Sequence, residues 1–293
     1  MTVALALMVL GMSAPYLLRR FGGRTPAAAI VAGHVASPVL VWLCVVSVTV
    51  DAVGAAHRPA AWAELVPGVA GGYGPPAGYA MTAVLLLMIG RSASAWYRTA
   101  ATVRAARQRY LAMSSVAAPG VAFAPIGSVA CTVGLFRPMV FVNPERYTRL
   151  APDEQAAVLA HERGHVRGRH GLIDLLMRTV TAGLRPLPGA DLGRREVRRH
   201  LEALADDRAS GLTSRRTVAT AIVAAAASPP SGALGAAGWS TWRVERLLAP
   251  SPVPRPLLLP VVGLVALSLV ALVQTVGHLV KGAHLFPVAF PVL

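Results

Sequence analysis

Residues 1–18, 25–50, 65–90 and 256–280 contain no Asp, Glu, Lys or Arg. About 20 apolar residues in a helix cross a bilayer core, so each stretch can be a span. Inside lipid the backbone must satisfy its own hydrogen bonds, and a segment of this length does so as a helix. Composition agrees: 55% of the 293 residues are hydrophobic, 14% are charged and mean hydropathy is +0.55. The expected fold class is therefore an α-helical integral membrane protein with about four transmembrane helices.

The first stretch has no basic residues ahead of it and is followed by Arg19 and Arg20 rather than a small-residue cleavage site, so it reads as a retained anchor. In the third, GGYGPP at 71–76 cannot be helix interior, so that span should begin near Ala77 and run past Arg91. Arginines crowd the first connection (Arg19, Arg20, Arg24) and the segment after the third span (Arg91, Arg98, Arg104, Arg107, Arg109). Basic residues near span ends are retained in the cytoplasm. Both termini are thus expected outside, with the segment from about Tyr97 to Arg255 in the cytosol. The corresponding division is 1–97 (three spans), 98–255 (cytosolic domain), 256–280 (fourth span) and 281–293 (short extracytoplasmic tail).

The net charge of +15 raises nucleic acid as a partner. Only Lys281 is lysine, no binding motif accompanies the arginines, and basic surface beside anionic lipid accounts for the balance. Membrane lipids are the expected partner, and nucleic acid is not. Cys44, inside a span, and Cys131, outside one, read as small hydrophobes that do not pair.

Between the third and fourth spans, Ser128–Val133 and Met139–Val142 read as a β-hairpin. Pro138 and Pro144 at the ends of Met139, Val140, Phe141 and Val142 suggest an edge strand, whose free backbone could pair with an extended substrate. A helix follows, with Pro152, Asp153 and Glu154 in its first turn. LRPLPGADLG interrupts the chain, a second helix runs from Arg194 to about Gly211, and Thr217–Ala227 reads as a third. SPPSGALGAAG reads as a loop, and WRVERLLAPSPVPRP leads to the last span.

The chemistry lies on the first of these helices, in His161-Glu162-Arg163-Gly164-His165. Positions four apart on a helix share a face, so both imidazoles can grip one ion while the glutamate lies beside a metal-bound water. Eight His and seven Glu in 293 residues make chance occurrence rare. A catalytic zinc needs a third protein ligand and an open position. Glu202 is the candidate, because Glu202-x-x-Ala205-Asp206-x-x-Ala209 puts two carboxylates and two small side chains on one face; the alternative is a solvated carboxylate among Arg194–Arg199. Asp206 suits a hydrogen bond to a ligand imidazole, or else a salt bridge to Arg198 or Arg208. If the first helix continues, His170 points away from His161, and His200 and Asp207 point away from Glu202, so all three are expected at the surface. His34 and His278, inside spans, are expected to make helix–helix hydrogen bonds.

RPMVFVNPERYTRLAPDEQAAVLAHERGHVRGRH, the later ExxAD and WRVERLL before a last span together resemble the BlaR/MecR-type antirepressor membrane metallopeptidases. The similarity extends more broadly to zinc proteases of the HtpX and CAAX prenyl protease type. It covers about Val129 to Leu248, and the first 90 residues match in hydropathy alone. The resemblance implies an α+β zinc-protease minidomain between the third and fourth spans of a multi-pass bacterial cell-membrane protein. It implies one Zn²⁺ held by His161, His165 and Glu202, Glu162 as general base, and a protein substrate such as a transcriptional repressor. With about a dozen residues after the last span, no β-lactam sensor is expected. Gly164 stands where the family usually has Ala. The expected function is a membrane-embedded zinc metalloendopeptidase in proteolytic signalling or repressor inactivation. The alternatives are a membrane-protein quality-control protease and a non-catalytic zinc-containing sensor or scaffold.

Overall fold

The structure is a computed structural model that describes residues 2–21, 26–57, 75–226, 237–249 and 258–285. Two long helices come first, α1 (Thr2–Phe21) and α2 (Ala27–His57), followed by α3 (Pro75–Ala112). Among the described residues, Ala27–His57, Pro76–Ala112 and Leu259–Val280 are long and apolar enough to cross a membrane. The first expected span is the 20-residue α1, which packs on α2 through Ala14. The third expected span starts at the proline pair, as the GGYGPP segment requires, although its residues 65–74 lie outside the described residues.

α2 is the hub of the apolar region. It packs against α1, α3 and the last helix, α10 (Leu258–Leu285). Polar side chains also join these helices: Ser47 and Thr275 hydroxyls lie 2.7 Å apart, and His278 Nδ1 lies 3.0 Å from Asp51 Oδ1. His34 corrects the expectation of a helix–helix hydrogen bond. It is fully buried, but neither ring nitrogen has a hydrogen-bond partner among the described residues.

The small sheet contains β1 (Ser115–Ala118), β2 (Val121–Phe123), β3 (Ala130–Val133) and β4 (Met139–Val142), in the order β1-β2-β4-β3. β3 and β4 form the expected antiparallel hairpin, with Cys131 opposite Phe141. The expectation that Met139–Val142 is an edge strand is corrected, since β2 pairs with β4 in parallel on its other side. Every residue of MVFV is apolar because both faces are covered. Phe141 packs towards Tyr110 and Leu111 of α3, while Val140 and Val142 pack towards Leu159 and Val166. Pro138 merely precedes the strand, where its missing donor costs no ladder bond. The edge strands are β1 and β3.

After a short helix, α4 (Pro144–Tyr147), come α5 (Pro152–Arg167), α6 (His170–Gly183), α7 (Ala190–Leu212), α8 (Arg215–Ala226) and α9 (Ala237–Leu248). Glu154 closes the start of α5 by accepting the Ala151 N–H at 3.0 Å. Most of the expected SPPSGALGAAG loop lies outside the described residues.

The 97/98 division falls inside α3, a single 38-residue helix. Nor is 98–255 clear of the apolar helices. Trp42 of α2 donates to Val180 O at 2.9 Å, Ser92 of α3 donates to Thr179 O at 2.8 Å, and Leu184 and Ala190 share a core with Val41, Val45 and Met88. Further along, Val31 packs with Met177, Val197 and Leu201. The cause is local: one face of α6 is apolar and is buried against α3 and α2.

Candidate metal centre

α5 and α7 cross where their side chains are smallest. Ala205 and Ala209 of α7 are fully buried, and a Cβ added to Gly164 of α5 would lie 3.1 Å from Ala205 Cα and 3.3 Å from Ala205 O. A Cβ there would be tight but not excluded, and glycine's cost in helix propensity, about 1 kcal/mol relative to alanine, accompanies this close approach. That approach brings Glu202 to the histidines. Ligand atoms of His161, His165 and Glu202 lie within 4.8 Å of one another. His161 Nε2 and His165 Nε2 are 3.1 Å apart, and the Glu202 oxygens lie 3.5 and 3.6 Å from them.

The remaining expected residues surround this cluster. Asp206 is fully buried and accepts the His161 Nδ1–H at 2.9 Å. Its partner arginine is Arg243 of α9, which donates Nη2–H to Oδ1 at 2.6 Å and Nε–H to Oδ2 at 2.8 Å, rather than Arg198 or Arg208. Arg243 Nη1 is also 3.3 Å from Glu202. Glu162 takes a 2.6 Å hydrogen bond from the Thr132 hydroxyl of β3. All of these groups line one cavity of about 890 Å³, walled by β3 on one side and by α8 and α9 on the other. Of the four residues expected to pair with substrate, Met139, Val140, Phe141 and Val142, none lines it; Ala130, Cys131 and Thr132 do.

Three functional neighbours were not expected from sequence. Thr132 and Arg243 carry no motif. His170 was expected at the surface, but it is 4% exposed, with Nδ1 2.8 Å from His165 Nδ1. The extrapolated rotation failed because α5 stops at Arg167 and Arg169 takes φ 49°, which turns the chain back. The glycine at 168 was the available signal. His200 is also partly buried, its Nδ1–H donating to Glu196 O and its ring meeting Trp242 edge-on, whereas Asp207 is at the surface in an ion pair with Arg246.

The electrostatics divide the carboxyls by role. Burial pulls the His161 pKa down, but hydrogen bonds to Asp206 and Glu202 outweigh it and push it up to about 9. Burial and then the charge of His161 hold His165 at about 4. Burial opposes ionisation of Glu202 and Asp206, yet His161 and Arg243 keep both below the usual carboxylate range. Glu162 moves the other way: burial raises it, and His161 and Thr132 offset only part. A carboxyl raised towards neutrality is suited to taking up and returning a proton.

The donor set fits a divalent ion of the zinc type: two imidazole nitrogens and one carboxylate, with cavity left for a fourth position. Two histidines of an HExxH helix joined by a glutamate from a later helix are the ligand pattern of a zinc metallopeptidase. Residues 97–185 match the model of Peptidase family M48, a family of zinc-dependent metallopeptidases. The match contains His161, Glu162 and His165, and Glu202 lies beyond it. It supports a peptide hydrolase of that family and is not specific to the antirepressor type. No curated protein and no solved structure matches the chain.

Proposed function

We propose that this protein is a zinc metalloendopeptidase that hydrolyses protein substrates at the cytoplasmic face of a bacterial cell membrane, with both termini extracytoplasmic. The observation that carries the reading is the convergence of His161, His165 and Glu202 beside a half-buried Glu162 in one cavity. His161, His165 and Glu202 would hold the ion, which when bound polarises the scissile carbonyl and acidifies water. Glu162 takes a proton from the attacking water and returns it to the leaving amine. Thr132 holds the Glu162 carboxylate in place, and Asp206 fixes the His161 ring through Nδ1. Substrate lies extended along the free edge of β3, which faces the cavity.

The role proposed is proteolytic signalling, with few substrates such as a transcriptional repressor. Resemblance of residues 137–170 to the antirepressor peptidases supports it. Glu162→Gln tests both levels. The variant should keep zinc and lose at least about 100-fold in hydrolysis, the lower end of what general base catalysis supplies. Unchanged cleavage would sink the catalytic assignment. Comparing proteins that accumulate in the variant strain separates the roles: a small set supports signalling, and a broad set of membrane proteins points to quality control.

A further inference from the structure

We infer that Arg169 and Arg198 form a subsite for an acidic side chain of the substrate, carried on the N-terminal side of the bond that is cleaved. The inference rests on the peptidase reading above and deepens it by naming what the substrate presents.

The cavity is a groove with unlike ends. α5 and α7 run antiparallel along it: Ala209 packs with Ala157 and Ala160, Asp206 meets His161, and Glu202 reaches His165. Beyond the three ligands the chain leads to Arg169 in the turn after α5, and α7 leads back to Arg198, one turn before Glu202. The opposite end is apolar, lined by Ala157, Val158, Val218, Ile222 and Ala225. β3 follows the same direction. The Thr132 hydroxyl lies at Glu162, and beyond it Gly134 closes on Gly171 of α6, where an added Cβ would be 3.1 Å from Gly134 O.

Local geometry holds two cations at the far end. Arg169 takes the left-handed φ of 49°, which a residue with a side chain rarely adopts, and such outliers cluster at functional sites. Its Nη1–H donates to Phe136 O at 3.4 Å, so the side chain reaches from the α5–α6 turn to the β3–β4 connection. Arg198 has a side chain 46% exposed, with Nε 3.7 Å from Asp174 Oδ1. Asp174 also lines this end, but Arg178, outside the cavity lining, already donates to its Oδ2 at 2.8 Å. The balance there is positive, and a guanidinium at a groove wall suits a carboxylate. Antiparallel pairing is the more stable arrangement for an extended peptide on β3. Since β3 runs towards the charged end, the N-terminal half of such a peptide lies there. At about 3.3 Å per residue, the stretch from Thr132 to Leu135 places the acidic residue about two or three positions before the scissile bond.

The test uses purified full-length protein with zinc, acting on a proteome-derived peptide library whose cleaved bonds are mapped by mass spectrometry. Asp and Glu should be enriched about two or three positions before the cleaved bond. A matched pair of quenched peptides, with Glu or Lys at the mapped position, then gives rates. Arg169→Gln and Arg198→Gln should each lower the Glu-to-Lys ratio of kcat/KM about fivefold, the upper end for an exposed ion pair. The change should fall on KM, as for a contact made equally in ground and transition states, and shrink in about 1 M salt. Arg198→Glu should turn the preference towards Lys, which loss of a merely structural arginine would not do. Arg169→Gln, at an exposed position, keeps the inference testable if the Arg198 variants do not fold. Cleavage without acidic enrichment on the N-terminal side would overturn the inference, as would an unchanged ratio in both Gln variants. Absence of any wild-type cleavage that Glu162→Gln abolishes would instead overturn the peptidase reading, and the inference with it.

Discussion

Asp206 is the residue whose loss should be felt both in folding and in metal affinity, and the structure separates the two. Its carboxylate is fully buried, so solvent screening does not weaken its contacts. Arg243 reaches it at 2.6 and 2.8 Å and His161 at 2.9 Å. Asp206→Ala strands a partly buried guanidinium and leaves the His161 Nδ1–H without its acceptor. Breaking a buried ion pair from one side costs about 3–5 kcal/mol. Glu202, 3.3 Å from Arg243, retains part of the compensation, so a value near 3 kcal/mol is expected by denaturant unfolding of the stripped protein. Asp206→Asn keeps the shape and an acceptor for His161 but removes the charge, and should cost about 1.5–3 kcal/mol, the range for a charged hydrogen bond. For zinc, losing the brace on a ligand histidine is worth about 10–100-fold, or roughly 1.4–2.7 kcal/mol, measured by chelator competition. Asn should fall at the low end and Ala at the high end. If both variants bind zinc within threefold of wild type, Asp206 does not orient His161 and the reasoning fails.

Thr132→Val removes the hydroxyl that favours ionised Glu162, so the Glu162 pKa rises further and the acid limb of the kcat/KM profile moves to higher pH, with the alkaline limb unmoved; a limb that stays or moves down refutes the assignment. Gly164→Leu forces side-chain atoms against the Ala205 backbone and should destabilise the protein by about 1–3 kcal/mol while weakening zinc binding, measured by unfolding and metal titration. Gly164→Ala should be close to neutral, because its few tenths of an ångström of crowding are offset by about 1 kcal/mol of helix propensity. The Cys131 thiol is pushed up to about 12 by burial and then by Glu162, so in a Cys44→Ser background it should alkylate far more slowly at pH 8 than a free thiol. Adding Glu162→Gln should speed the reaction, as read by mass spectrometry.

Local and periodic features were legible in the chain. HExxH on a helix opened by Pro152 and Glu154, the β3–β4 hairpin and the pairing of small with acidic residues on α7 each depend on neighbours within a turn or a strand. What misled was extrapolation across a break. Continuing the rotation of α5 past Gly168 puts His170 at the surface, and the flanking Pro138 and Pro144 put β4 at an edge; the structure does neither. For β4 the unbroken MVFV run was the better guide, since alternation fails where both faces are covered. β2, the strand that covers its other side, is three residues long and has no pattern to read.

The sequence by itself determined that apolar helices surround a polar segment bearing two histidines and a glutamate at metal-binding spacing, because lipid length and helical period act on consecutive residues. Tertiary structure alone decided that Glu202 meets those histidines, that Asp206 and Arg243 close around His161, and that Thr132 of β3 reaches Glu162. Those contacts join residues tens of positions apart. They depend on how closely two helices can pack at Gly164 and Ala205, a distance set by side-chain volume and not by pattern.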